Sequence, residues 1–300
     1  MDKLRRLAIL PVAILALTAC QAGSGASGSA GASGDTAAAC DNASGENLLA
    51  RICEAGKIVV STDPDYAPQS FIGDDGELDG FDIDVAKKIA ESLGVEVEFA
   101  TPDFAAVVAG NWSGRFDMSV GSVTVTEERT EILDFTQPYY FTPAQMGVTE
   151  ESGITSIDDL AGEVVCVGEE TTYQFWLEGA LNLGPGGEVR REAPEGVEVT
   201  TLPTDANCAE SVQSGRTDFA GFLTASETLR QAIADGIALV EIEEPVFFEP
   251  LAIAFDKSVE DNDSLVTEVD RIIGEMHEDG TLTQLSEEWY DGQDLTKAAE

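Results

Sequence analysis

An alternation of short strands and amphipathic helices constrains the fold of this chain more than any other feature of its sequence. Residues 57–62 contain an apolar run that predicts a buried strand, and residues 95–99 predict another. Between them, residues 82–93 place apolar side chains at helical spacing, and Gly94 follows as a helix stop. Strand, helix and strand at these lengths predict a βαβ unit with parallel strands.

The same alternation continues along the chain and then starts again. Residues 104–111 predict a helix, residues 117–120 predict a strand, and another helix is expected to begin near Thr126. The strand 251–255 and two helices within 264–290 are expected to return to this first series. The second series lies between them, with predicted strands at 163–167, 197–202 and 217–222 and predicted helices at 173–181 and 206–214.

This order of elements predicts an α/β protein of two lobes. The first lobe takes residues 40–146 and the returning segment 247–300, and the second takes 147–246. The chain from residue 40 onward is long enough for two separate cores. Two crossings between the lobes predict a hinge. Because open α/β sheets bind ligands beyond the carboxyl ends of their strands, the cleft between the lobes is the predicted binding site.

The N-terminal residues 1–20 have the pattern of a secretion signal. Basic residues precede an apolar stretch at 7–17, which is too short to cross a membrane but suits a signal peptide. The sequence LTAC at 17–20 resembles a bacterial lipobox, so we predict that Cys20 carries lipid and anchors the protein to the outer face of the cell membrane. An uncleaved hydrophobic N-terminus is the alternative. Residues 21–39, almost entirely Gly, Ala and Ser, predict a flexible tether.

The remaining cysteines suggest disulfides. With Cys20 assigned to lipid, Cys40, Cys53, Cys166 and Cys208 are left, and four cysteines allow three connectivities. Because each pair then falls within one predicted lobe and an exported protein enters an oxidising compartment, we predict Cys40–Cys53 and Cys166–Cys208. Four free buried thiols are the alternative.

Acidic residues greatly outnumber basic ones. The chain has 57 acidic and 16 basic residues, a formal net charge of −41. A field of that sign repels nucleic acid and anionic lipid, so we expect neither as a partner. The acids are spread along the whole chain, which favours a solvated, salt-adapted surface. Steering of a cationic ligand is the alternative interpretation.

Four motifs occur in a fixed order along the chain: 58–68 (IVVSTDPDYAP), 80–84 (GFDID), 121–129 (GSVTVTEER) and 134–139 (DFTQPY). Together they resemble the polar amino-acid-binding proteins of bacterial ABC importers, the extracellular solute-binding proteins of family 3. The resemblance implies a two-lobed periplasmic-binding-protein type II fold that closes over a small solute, an amino acid or related carboxylate. It also implies delivery of that solute to an ABC permease by a monomer without catalytic activity.

The motif 121–129 supplies the predicted carboxylate site. The resemblance implies that Arg129 pairs bidentately with the ligand's α-carboxylate, while Ser122 and Thr124 offer main-chain and hydroxyl hydrogen bonds. A surface arginine paired with Glu127 or Glu128 is the alternative.

Three further residues of the first lobe match ligand-contacting positions of the family. Tyr66 and Phe104 match residues that sandwich the ligand side chain, and Asp63 matches a position that contacts its polar groups. Without the motif, either aromatic would be assigned to a core.

In the second lobe, residues 165–172 form a predicted strand-to-helix turn, where exposed N–H groups and the helix dipole favour an anion. The resemblance implies a second carboxylate contact here, which we assign to Thr171 and Thr172. This chain departs from the family pattern in two ways. Glu169 and Glu170 replace the usual glycine-bearing sequence.

The second departure is Leu223, which stands where the family places an aspartate for the ligand's α-amino group. A buried ammonium without a partner is unfavourable, so either another acid replaces that aspartate or the ligand lacks the amino group there. Glu170 and Glu249 are the candidate replacements.

The sequence predicts no cofactor and no metal site. Asp82 and Asp84 are explained by the first turn of a helix, and His277 lacks partners at ligand spacing. Two other functions remain open. A dehydratase of the same fold, acting on a cyclic carboxylate, would use Glu170 or Glu249 as a general acid, and a ligand sensor would need a signalling segment.

Overall fold

The computed structural model describes residues 39–41, 43, 45–216 and 218–298. The predicted signal peptide, the lipidation site Cys20 and the tether as far as residue 38 lie outside these described residues. The helices are α1 Leu48–Ala55, α2 Phe81–Leu93, α3 Phe104–Val108, α4 Thr172–Leu177, α5 Asp205–Gln213, α6 Ser226–Ala234, α7 Asp263–Glu278 and α8 Thr281–Trp289. The strands are β1 Lys57–Ser61, β2 Asp65–Tyr66, β3 Ser70–Ile72, β4 Leu78–Asp79, β5 Glu96–Ala100, β6 Met118–Thr124, β7 Leu133–Thr149, β8 Val164–Gly168, β9 Glu188–Val189, β10 Glu198–Leu202, β11 Gly221–Ala225 and β12 Leu239–Asp256.

The predicted βαβ unit is formed by β1, α2 and β5. β1 and β5 are parallel, with Lys57 opposite Glu96 and Ser61 opposite Ala100. α2 buries the apolar face that its spacing predicted, and Gly94 ends it in the left-handed region at φ 80°. The small antiparallel sheet β2–β3–β4 is inserted between β1 and α2.

Two long antiparallel strands, β7 and β12, run through the centre of the molecule. The main sheet has the order β10-β8-β11-β7-β12-β6-β1-β5, so β7 and β12 join the parallel strands on one side to those on the other. Their pairing shifts register between Ile242 and Phe247 and again near Leu251. These irregularities bend the pair, which is how both strands serve two halves of the fold.

Buried apolar residues divide into clusters on the two sides of this central pair. On one side the clusters draw on residues 48–140 and 251–290, with α2 packed on β1 and β6, α7 packed on β7, and α8 packed on α2 and α7. On the other they draw on 144–247, with α4, α5 and α6 packed on β8 and β11. We call these the first and second lobes. The boundaries given above, 40–146 with 247–300 and 147–246, remain predictions.

The prediction of a helix near Thr126 is wrong. A single 3-10 turn, Arg129–Glu131, occupies this region and leads directly into β7. The charged sequence there resembles the first turn of a helix, but the chain must extend at Leu133 to pair with β12. α3 is also shorter than the predicted helix 104–111, and it ends at Val108.

Both predicted disulfides are formed in the structure. Cys40 is bonded to Cys53, which joins the N-terminal turn to α1. Cys166 is bonded to Cys208, which joins β8 to α5 inside the second lobe.

Candidate ligand-binding cleft

A cleft between the two lobes lies at the carboxyl ends of the parallel strands. Asp63 follows β1, Thr124 ends β6, Gly168 ends β8 and Asp205 follows β10, and all four line the same space. Carboxyl ends of parallel strands meet at one edge of a sheet, so residues far apart in sequence converge here. Nine of the ten residues predicted to bind ligand line this cleft, and Glu170 is the exception.

Arg129 lies in the cleft with only 4% of its surface exposed. Its Nη1 donates to the Thr124 carbonyl at 3.0 Å and its Nη2 to the Glu170 carbonyl at 2.7 Å, while the Phe104 ring lies 5.4 Å from the guanidinium carbon. Burial lowers the pKa of Arg129 to about 10, although the nearby Glu249 carboxylate opposes the shift. No carboxylate of the described residues forms an ion pair with it. The cleft therefore contains a buried cation without an anionic contact.

Glu249 lies on β12 between the lobes and is almost wholly buried. Its Oε2 accepts from the hydroxyls of Thr124 and Thr172, both at 2.6 Å, and its Oε1 accepts from the Tyr173 hydroxyl at 2.8 Å. Burial raises the pKa of Glu249, and these three donors and Arg129 act in the opposite direction. Glu249 therefore already accepts three hydrogen bonds from protein hydroxyls of the two lobes.

Asp205 is the acidic residue of the cleft that the sequence prediction missed. It begins α5, its Oδ1 accepts from the Gly168 N–H at 2.7 Å, and its Oδ2 accepts from the Thr224 hydroxyl at 2.8 Å. Burial raises its pKa to about 7. A Cβ on Gly168 would lie 2.7 Å from Oδ1, so only glycine permits this close approach. Leu223, in contrast, is fully buried in the core of the second lobe.

Asp63 and Tyr66 form the first-lobe side of the cleft mouth. Oδ1 of Asp63 accepts from the Asp65 N–H at 2.8 Å, and burial raises the pKa of Asp63 to about 6. The Tyr66 hydroxyl lies 3.1 Å from the hydroxyl of Tyr173 in the second lobe. This contact and the bond from Arg129 to the Glu170 carbonyl both join the first lobe to the second.

The predicted anion site at the start of α4 is used mainly by the protein itself. The Thr171 hydroxyl donates to the Gly168 carbonyl at 2.8 Å and caps the helix by accepting from the Gln174 N–H, and the Thr172 hydroxyl donates to Glu249. Glu170 has an exposed side chain and a left-handed backbone at φ 58°. Its contribution to the cleft is its carbonyl.

Asp205 and Tyr173 were both within reach of sequence reasoning. Asp205 follows the predicted strand 197–202 and the helix-capping Thr204, much as Asp63 follows the predicted strand 57–62. Tyr173 follows Thr172 at the start of a predicted helix. Their polar contacts depend on strands that are distant in sequence, and no local pattern records them.

His277 and Asp84, which the sequence does not predict as metal ligands, lie outside the cleft. The Nε2 atom of His277 lies 2.9 Å from the Pro138 carbonyl oxygen, and Asp84 accepts from the Trp289 indole. Within the described ranges, no group of three or more His, Cys, Asp or Glu side chains is placed to hold a metal ion. No described helix is both long and apolar enough to cross a membrane.

The chain is similar in sequence to known solute-binding proteins. Residues 58–292 match the model of the bacterial extracellular solute-binding proteins, family 3. The L-cystine-binding protein TcyJ of Escherichia coli K12 is 33% identical over 256 residues, which cover 84% of this chain and 89% of that protein. The histidine-binding periplasmic protein of Salmonella typhimurium LT2 is 28% identical over 243 residues, covering 78% of this chain and 88% of that protein.

A solved structure extends the similarity to the fold. The ancestral amino acid-binding protein AncCDT-1, a precursor of cyclohexadienyl dehydratase, matches with a TM-score of 0.68 and 29% identity, covering 81% of this chain and 99% of that one. This match and the mixed α/β sheet confirm the predicted two-lobed type II periplasmic-binding-protein fold.

Proposed function

Because this chain belongs to the bacterial extracellular solute-binding proteins, family 3, we propose that it captures a polar amino acid for an ABC importer by closing its two lobes. Membership of the family implies a substrate-binding role outside the cytoplasm. The finer proposal is that a monomer, anchored through lipid on Cys20, delivers the amino acid to a permease in the membrane. Its main support is Arg129, a buried guanidinium in the cleft that no carboxylate of the described chain pairs with.

The proposed ligand carries one carboxylate and at least one ammonium group. A carboxylate would bind Arg129, because a guanidinium offers a planar pair of donors that matches it. The ammonium group would bind Asp205, with Asp63 on the opposite lobe as a second anion. We propose that Asp205 does the work of the aspartate that Leu223 replaces. Glu249 is a weaker choice, since three hydroxyls already occupy its oxygens.

The charge of the cleft also favours some amino acids over others. Asp63, Glu169, Asp205 and Glu249 line it, and Arg129 is the only cation among the described residues that line it. An amino acid with an acidic side chain would bring a further anion next to these carboxylates, and like charges close together repel. Neutral and cationic amino acids are therefore the proposed ligands. This range includes L-cystine and histidine, for which the relatives are named.

A thermal-shift screen tests this proposal. The protein is unfolded to remove bound ligand, refolded, and mixed with L-cystine, L-histidine, L-arginine, L-glutamate, polyamines and amino-free carboxylates. A ligand that binds only the folded state adds about 2.7 kcal/mol of stability at 100 times its Kd, so the melting temperature should rise with concentration. We expect a rise for at least one neutral or cationic amino acid and none for L-glutamate.

The same screen separates the alternatives. Stabilisation only by amino-free carboxylates or by polyamines would contradict the amino-acid proposal and leave the fold assignment intact. The bound amino acid should be recovered with its mass unchanged, since the relatives named above are binding proteins. A dehydrated product from a prephenate-like substrate would favour the dehydratase alternative instead.

The proposed lipid anchor has its own test. Wild-type protein expressed in bacteria should sediment with membranes and be extracted by detergent, whereas Cys20→Ser should be found in the soluble fraction, because a thiol is needed for lipid attachment. Ser24→Ala, a change four residues away, is the matched control and should sediment like the wild type. Membrane association of Cys20→Ser would contradict the anchor.

A further inference from the structure

A buried carboxylate lies directly behind the cleft and takes no part in lining it. Asp82, in the first turn of α2, has no exposed surface. It has no partner among the lysines and arginines of the described residues, and hydroxyl groups surround it instead. Gly80 brings α2 into this position: a Cβ there would lie 2.4 Å from the Gln69 carbonyl oxygen.

Both carboxylate oxygens of Asp82 accept hydrogen bonds from hydroxyl groups. The Ser122 hydroxyl donates to Oδ2 at 2.8 Å, and the Tyr139 hydroxyl donates to Oδ1 at 2.6 Å. Since the Ser122 hydrogen is used in this way, the Tyr140 hydroxyl, 2.6 Å away, must donate to Ser122. The Ser122 N–H in turn donates to the Tyr139 oxygen at 3.2 Å. Asp82 therefore holds the Ser122 side chain directly and the Ser122 backbone through the Tyr139 hydroxyl.

Ser122 needs such support because its backbone is in an unusual conformation. Its φ is 53°, in the left-handed region that residues with a Cβ rarely adopt. It also lies in an irregular part of β6, where residues 120–122 oppose the single residue Ile253 of β12. Bulges of this kind redirect a strand near functional sites. Here the bulge brings Gly121 and Ser122 to the wall of the cleft.

We propose that Asp82 is a positioning residue for ligand binding, which holds Ser122 in its left-handed conformation and so fixes the bulge that lines the cleft. The inference rests on the proposed function for its ligand. It does not require Asp82 to touch the ligand. Burial raises the pKa of Asp82 to about 7, and the two hydroxyl donors favour its ionised form, which is the form that accepts both bonds.

The test begins with Asp82→Asn, which has almost the same shape. An amide presents donors where Ser122 and Tyr139 already donate, so at least one bond is lost. We expect Ser122 to leave the left-handed region in a crystal structure of this variant. Amino-acid affinity should fall about tenfold, because the ligand must then select a minor conformation. The probes are L-histidine and L-cystine, measured by calorimetry.

Two variants separate positioning from general destabilisation. Asp117→Asn alters another acid of the first lobe, which accepts from the Val59 N–H at 2.8 Å outside the cleft, and should leave affinity unchanged. Ser122→Gly permits a positive φ without a Cβ. In that background Asp82→Asn should have little further effect on affinity, because Asp82 acts through Ser122.

Each outcome decides the inference. It is overturned if Asp82→Asn keeps Ser122 near φ 53°, if its affinity matches that of Asp117→Asn, or if its effect adds fully to that of Ser122→Gly. Should Asp82→Asn fail to fold, Tyr139→Phe removes the other bond to Asp82 and should give the same tenfold loss. If neither amino acid binds the wild type, the proposed function fails for these ligands, and the conformation of Ser122 still decides the role of Asp82.

Discussion

Replacing Arg129 with alanine should weaken amino-acid binding at least tenfold, which corresponds to about 1.4 kcal/mol or more of binding free energy. The guanidinium is held by the Thr124 and Glu170 carbonyls, which orient it without neutralising its charge. A ligand carboxylate would supply the neutralising negative charge and accept from the planar pair of guanidinium donors. Without Arg129, the same carboxylate would enter a cleft lined by Asp63, Asp205 and Glu249 with no cation to balance it. Calorimetric titration with the amino acid selected by thermal shift measures the loss.

Two arginine variants serve as controls for this loss. Arg129→Lys keeps a positive charge but not the fork of donors, so its affinity should lie between those of the wild type and Arg129→Ala. Arg115→Ala removes an exposed arginine of the first lobe, whose Nε donates to the Trp112 carbonyl away from the cleft, and should bind normally. Unchanged affinity in a folded Arg129→Ala protein would remove Arg129 from the site.

The parts of the fold that sequence predicts well are those with a local cause. α2 follows from apolar side chains at helical spacing and a glycine that can adopt φ 80°. β1 and β5 follow from short apolar runs on either side of it. Each of these signals lies within the element it predicts, so no distant contact is needed to recognise it.

The central strands could not be predicted in the same way. β7 spans 17 residues and β12 spans 18, yet both contain prolines, which normally argue against a strand interior. Pro245 lies in the register shift between Ile242 and Phe247, where the ladder is already interrupted. The two strands are stable because each pairs with the other over most of its length. This pairing joins segments that are distant in sequence, so the local strand propensity of either segment does not predict it.

The cleft shows the same division between local and distant causes. Its first-lobe residues are predicted from the resemblance to a known family, and Arg129, Thr124 and Phe104 do lie together. Asp205 was missed because its importance depends on Gly168 and Thr224, on two other strands. Glu170 was chosen for its charge, whereas the structure uses its carbonyl. A side chain's direction depends on backbone conformation, and the left-handed φ of Glu170 has no reliable sequence signal.

Removing the disulfide of the second lobe should reduce both stability and ligand affinity. Cys166 and Cys208 are 42 residues apart, so replacing both with alanine should lower the free energy of unfolding by about 4 kcal/mol through the loop entropy of the unfolded chain. The bond also joins β8, which ends at Gly168, to α5, which begins at Asp205. Loosening this connection should disturb the bond between the Gly168 N–H and Asp205. Urea unfolding and calorimetric titration measure the two effects.

The other disulfide provides a matched control, because it stabilises without touching the cleft. Cys40 and Cys53 are 13 residues apart, so their replacement should lower the free energy of unfolding by about 3 kcal/mol. α1 packs on α7 and β1 and contributes no residue to the cleft, so affinity at a temperature where the variant is folded should equal that of the wild type. A loss of affinity in both variants would indicate that binding follows overall stability. A loss confined to Cys166→Ala/Cys208→Ala would show that this disulfide holds Asp205 in place, since the two bonds differ in what they connect far more than in the entropy they remove.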